Sequence, residues 1–175
     1  TVAHLLTHVA RNADSHRRRA EAAARLETVE QYEGGYEGRS REIDIGAQRS
    51  AAELIDDVVT SGERLTSTWR RIPEAAWAAP TRDVAGREFP LHALPSWRWE
   101  EREVHLIDLD IRPTHRDWPD EFVAAWLPPL RLTLADRLPG GATAPAAGQL
   151  DERDELAWLY GRLHRQGLPT LAPWG

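Results

Sequence analysis

The stretch from Thr1 to Leu26 contains neither proline nor glycine, and this constrains the architecture more than any other feature of the chain. Ala, Arg and Leu recur through it, all strong helix formers, and Thr1 is of the type that caps a helix N-terminus. One long helix is therefore expected from Thr1 to about Leu26. Leu5, His8, Asn12 and Ser15 follow one another at three- and four-residue steps, so they share a face on which a metal ion could sit.

The remaining punctuation divides the chain into further helices. Gly34, Gly35 and Gly38, with Tyr32 and Tyr36 among polar residues, read as a surface loop over residues 28–40. Ser50-Ala-Ala-Glu53 matches a capping box, and Leu54, Ile55, Val58, Leu65 and Trp69 supply a core-facing stripe up to about Arg71. Pro73, Pro80, Gly86 and Pro90 break up residues 72–90, where Asp83 to Phe89 suits a short hairpin. A third helix is expected from Ala93 or Pro95 to Leu109, and a fourth from Asp120 to Leu138, kinked or broken at Pro128-Pro129. A linker over Gly140 to Gly148, a short helix over Glu152 to Leu163 and an extended tail over Gly167 to Gly175 complete the reading. The expected organisation is a helical domain over residues 1–138 and a reduced C-terminal segment over 139–175.

Composition removes several functions. Apolar residues make up 41% of the chain and charged residues 29%, as in ordinary globular proteins. No apolar run reaches the roughly 18 residues of a membrane span, and no signal segment opens the sequence, so a cytoplasmic location is expected. The net charge of −6 argues against a nucleic-acid surface, and Arg17-Arg18-Arg19 reads as a solvated helix face. The absence of cysteine excludes disulfides, thiolate metal sites and a cysteine nucleophile, so any thiol chemistry requires an external thiol. The chain has no initiator methionine and starts inside the first helix, which suggests that something upstream is missing.

Chemistry-bearing residues concentrate on the first and third helices. Glu101-Arg-Glu-Val-His105 places a carboxylate and an imidazole four residues apart, on one helix face. Arg98 precedes them by one turn and Asp108 follows. Trp97, Trp99, Val104, Leu106, Ile107 and Leu109 flank this polar stripe and argue that it is buried. The first helix offers His4 and His8, also four apart. Two imidazoles and a carboxylate from separate helices suit zinc with an open coordination position, and iron, nickel or manganese accept the same donors.

Four blocks then carry a resemblance: Thr1-Val-Ala-His-Leu-Leu-Thr-His8-Val-Ala-Arg-Asn-Ala-Asp14, Gln31-Tyr32-Glu-Gly-Gly35, Arg98-Trp-Glu-Glu101-Arg-Glu-Val-His105-Leu-Ile-Asp108-Leu109 and Leu156-Ala-Trp-Leu-Tyr-Gly-Arg162. The chain resembles the mycothiol-dependent maleylpyruvate isomerase family, of the DinB-like metal-binding helical bundles. The resemblance implies a mainly α fold, a four-helix bundle whose first helix is absent from this chain, with a short C-terminal appendage. It implies zinc, or another divalent ion, on His8, Glu101 and His105, and favours His8 over His4. It implies a catalytic arginine at Arg162, mycothiol as cofactor and a small organic acid as substrate. Arg98 and Asn12, with Arg11, are candidates for contact with cofactor or substrate, since guanidinium binds carboxylate in a bidentate way.

The family reaction converts maleylpyruvate to fumarylpyruvate: a thiolate adds to the cis alkene, the single bond rotates, and elimination restores a trans alkene. The C-terminal region is much shorter than in family isomerases. Two alternatives therefore stand beside isomerisation, a mycothiol S-transferase that retains the adduct and a metal-binding helical module without catalysis.

Overall fold

The protein is described here by a computed structural model covering residues 1–146 and 148–174; Ala147, within the expected linker, and Gly175, at the end of the expected tail, lie outside the described residues. It is mainly helical, and it divides into two compact units, Thr1–His105 and the residues from Leu106 onward.

In the first unit α1 spans Val2–Ala23, and the Thr1 hydroxyl accepts a hydrogen bond from the His4 N–H as its N-cap. The helix ends three residues earlier than expected, where Leu26 adopts a left-handed φ of 61°. Its buried face is polar as well as apolar: Thr7, Asn12, Ser15, His16 and Arg19 accompany Ala10, Ala13 and Ala20. Small alanines let α1 lie close to α3 (Ala51–Trp69), which starts on the expected capping box between Ser50 and Glu53.

The loop expected over residues 28–40 is corrected by the structure, because its second half is helical. Helix α2 spans Gly35–Gly46 and packs on α1. Three glycines obscured it, but they serve its first turn. Gly34 and Gly35 take left-handed φ values of 73° and 63°, and a Cβ on Gly38 would lie 1.7 Å from the Glu33 carbonyl oxygen. Beyond Gly38 the sequence Arg-Ser-Arg-Glu-Ile-Asp-Ile opposes no helix.

The expected hairpin is present as β1 (Pro80–Arg82) paired antiparallel with β2 (Glu88–Pro90), with Thr81 opposite Phe89. Asp83 closes its turn by accepting hydrogen bonds from the N–H groups of Ala85 and Arg87. Phe89 packs with Trp69, Trp77 and Trp97 over the buried Ala20, Ala23, Leu91 and Leu94. Helix α4, Ala93–Asp108, follows directly and carries the polar stripe.

In the second unit α5 spans Asp120–Leu132 and continues through Pro128 and Pro129, the break coming instead at Thr133 before α6 (Leu134–Arg137). The prolines withhold two N–H groups from the carbonyls of Ala124 and Ala125, four residues earlier. All four residues are exposed, so water can satisfy those carbonyls. Helix α7, Glu152–Leu159, is shorter than expected. Gly161, at φ 72°, ends it, and the N–H groups of Gly161 and Arg162 donate to the carbonyls of Trp158 and Ala157, the paired bonds of a Schellman motif. Trp118, Phe122 and Tyr160 form the aromatic centre of this unit, with Trp174 of the tail edge-on to Tyr160. Among the described residues no helix is long and apolar enough to cross a membrane.

Candidate metal centre

His8 lies two turns into α1, on the face that the alanines turn inward, and Glu101 and His105 lie one turn apart on α4. Their donor atoms all fall within 4.8 Å of one another. His8 Nε2 is 2.9 Å from Glu101 Oε2, and His105 Nε2 is 3.3 Å from the same oxygen. The imidazoles stand edge to face, with ring centroids 4.9 Å apart. The three side chains are only 12, 23 and 13% exposed.

These distances can be tested against an ion. Donors at about 2.0–2.1 Å from a tetrahedral zinc stand roughly 3.3 Å apart, close to both separations from Glu101. The donor set is one carboxylate and two imidazoles, with no fourth protein ligand in the group. It fits a divalent ion with an open position.

Electrostatics favour the ligating form of the carboxylate. Burial pushes the Glu101 carboxyl up, but hydrogen bonds and charge from His105 and His8 outweigh that and hold it well below the usual carboxylate range. Glu101 is therefore ionised at neutral pH. Such an isolated carboxylate between two imidazoles is a place where a cation gains the most.

The structure brings Arg98 and Asn12 together beside this group. Arg98 Nη1 donates to Asn12 Oδ1 at 2.8 Å and to the Val9 carbonyl at 2.9 Å. Arg98 is one turn before Glu101 on α4, and Asn12 one turn after His8 on α1, so the pair ties the two helices immediately below the triad. Burial draws the Arg98 pKa down to about 10, which leaves it charged at neutral pH. Arg11 faces α3 instead, where its Nη2 donates to both Asp57 oxygens at 2.7 Å. His4 is apart from the triad, its Nδ1 2.6 Å from the Thr1 hydroxyl and its Nε2 3.5 Å from Asp44.

Arg162 belongs to the second unit. Its Nε and Nη2 donate to the two oxygens of Asp108, at 2.9 and 2.7 Å, and Nη1 donates to the Tyr160 carbonyl. Its guanidinium also lies 5.9 Å from the Trp174 ring centroid. The Schellman cap explains this placement, because Arg162 is the residue that the cap turns back over the last turn of α7.

Sequence reading missed two residues. Arg39, on the unforeseen α2, places Nη2 3.1 Å from His8 Nδ1. His16 is fully buried on α1, where burial first, then the charges of Arg19 and Arg98, push its pKa well below the ordinary histidine value and keep it neutral. The loop assignment hid Arg39; His16 had a signal, lying one turn beyond Asn12 on the same face.

Comparison with known proteins agrees with this architecture. The chain superimposes on the crystal structure of the mycothiol-dependent maleylpyruvate isomerase with a TM-score of 0.85 and 23% identity, over 99% of this chain and 82% of that one. A mutant of that enzyme with one histidine replaced by alanine gives a TM-score of 0.83 at 22% identity, over 98 and 81%. At this identity the likeness establishes the fold. Among curated proteins none matches the chain. The family model for the mycothiol maleylpyruvate isomerase N-terminal domain matches residues 1–110, which include the whole triad and both helices that carry it; the chain belongs to that family.

Proposed function

We propose that the protein is a cytoplasmic, metal-dependent isomerase that uses mycothiol to convert maleylpyruvate to fumarylpyruvate. The observation that carries the reading is the convergence of His8, Glu101 and His105, within the region matched by the family, on a geometry suited to one divalent ion. Zinc is the ion best suited to two imidazoles, one carboxylate and an open position. When bound, such an ion lowers the pKa of a ligated thiol or polarises a substrate oxygen, and reversible thiol addition makes the cis double bond free to rotate.

The protein's own residues hold and orient. His8, Glu101 and His105 present three donors and leave the remaining position to ligand. Arg98 and Asn12 brace α1 against α4 and keep a positive charge near the carboxylate; in this reading they act on the cofactor site through that brace. Arg162 binds a substrate carboxylate. Asp108 and the Tyr160 carbonyl engage three of its five N–H groups, so two remain for an acceptor.

Zinc-loaded protein given maleylpyruvate and mycothiol should deplete the substrate absorbance, with turnover dependent on both metal and thiol. Absence of thiol-dependent turnover would sink the isomerase reading. A persistent thiol adduct, seen by mass spectrometry, would replace it with S-transfer.

A further inference from the structure

Arg39 reaches the triad from α2, and its contact there is incompatible with a metal ion on His8. Guanidinium nitrogens only donate hydrogen bonds. At 3.1 Å from Arg39 Nη2, His8 Nδ1 must therefore present its lone pair, and the neutral ring must carry its proton on Nε2. That proton is donated to Glu101 Oε2, 2.9 Å away. The two contacts thus specify one tautomer, with the ring proton on Nε2.

Ligation through Nε2 requires the opposite tautomer. The Nε2 lone pair goes to the ion and the ring proton moves to Nδ1, where a metal-bound histidine ordinarily finds a carboxylate or carbonyl acceptor. Here it would find the N–H of a cation. Arg39 must leave His8 when the ion arrives.

Arg39 has nowhere obvious to go within the protein. It makes no ion pair with a carboxylate among the described residues, and its guanidinium carbon lies 5.8 Å from the ring centroid of Tyr32, which is 2% exposed. The ring supports the cation without neutralising it. We propose that metal binding displaces Arg39 from His8 and that the released guanidinium holds a carboxylate of the small organic acid brought to the metal. The proposal rests on the metal reading above and assigns specificity for an anionic substrate to a residue of α2.

The test combines two titrations on the full chain. Chelator competition measures zinc affinity for wild type, Arg39→Ala and Arg39→Lys, with circular dichroism confirming helix content. Calorimetry then measures maleate, and its uncharged dimethyl ester, binding to each zinc-loaded protein. Arg39→Ala should bind zinc about threefold or more tighter in carboxylate-free buffer, since a competing donor is gone, and should bind maleate about 10-fold or more weaker. Arg39→Lys should fall between wild type and Arg39→Ala for maleate, and the ester should bind all three alike. Wild-type zinc and maleate affinities in Arg39→Ala would overturn the role of Arg39 while leaving the metal site standing. Tighter zinc with unaltered maleate binding would overturn the carboxylate half. Failure of the wild type to take up zinc would overturn both readings together.

Discussion

The two units differ in how far their buried polar groups are satisfied. In the second, Asp154 has a side chain only 5% exposed, yet it receives His115 at 3.0 Å, Arg165 at 2.6 Å and Arg116 at 2.6 Å. Arg162 is likewise matched by Asp108, and rings fill the space between. In the first, Arg19 and Arg98 are buried without an ion pair among the described residues, and Arg19 Nη2, His16 Nδ1, Trp69 Nε1 and Thr81 Oγ1 are buried with no hydrogen-bond partner. An unpaired buried polar group costs about 1–3 kcal/mol. Among the described residues the second unit holds two such atoms, Trp126 Nε1 and Arg137 Nη1, and the first holds six. The unit richer in them is the one holding the triad, as expected where a site is kept ready for something else and stability is given up for it.

This contrast can be broken most severely at Glu101. Glu101→Ala or His105→Ala should reduce zinc affinity by more than about 100-fold, since losing an outer partner alone costs 10–100-fold, with one zinc per wild-type chain measured by elemental analysis. Retained stoichiometric zinc would remove the distinction between the units. Asp154→Asn should instead lower stability by about 2 kcal/mol in denaturant titrations, with zinc affinity unchanged.

The same carboxyl sharpens the contrast by pH. Burial raises the Asp154 pKa, but the His115 and Arg165 hydrogen bonds outweigh it and leave the group lowered. Its contribution is present above the unfolded value near pH 4 and is lost as pH falls through the lower folded value. Melting temperature should therefore fall more steeply below about pH 4 in wild type than in Asp154→Asn; parallel curves would contradict it. A smaller effect belongs to the brace. Arg98→Lys keeps the charge but loses the paired reach to Asn12 and Val9, and should weaken zinc about 10-fold with the melting temperature nearly intact. The smallest is Ser50→Ala, which removes the α3 capping box for about 1 kcal/mol and should leave zinc binding alone.

Much of this was legible in the sequence where local rules and tertiary demands agree. The Thr1 cap, the Ser50-Glu53 box and the hairpin turn at Asp83 depend on side chains within a few residues of the groups they satisfy. The spacing Glu101-His105 put both donors on one face because helix periodicity alone decides that. What escaped required distant information. Glycines at 34, 35 and 38 spell a loop by propensity, and only the Glu33 carbonyl pressing on Gly38 shows why a helix needs them. Losing α2 meant losing Arg39, whose partner His8 is 31 residues away. The prolines of α5 misled for the converse reason: their cost depends on whether the orphaned carbonyls face water, which no local pattern specifies.

The glycine that ends α7 has one more consequence. Because the backbone bonds of the cap, and not the residues after it, turn Arg162 over the helix end, the arginine travels with α7. Insertions or deletions beyond it can lengthen or trim the tail without moving the guanidinium. A relative could thus change the length of its C-terminal arm freely while inheriting the same arginine in the same place, and a side chain at Gly161 would be the change it could least tolerate.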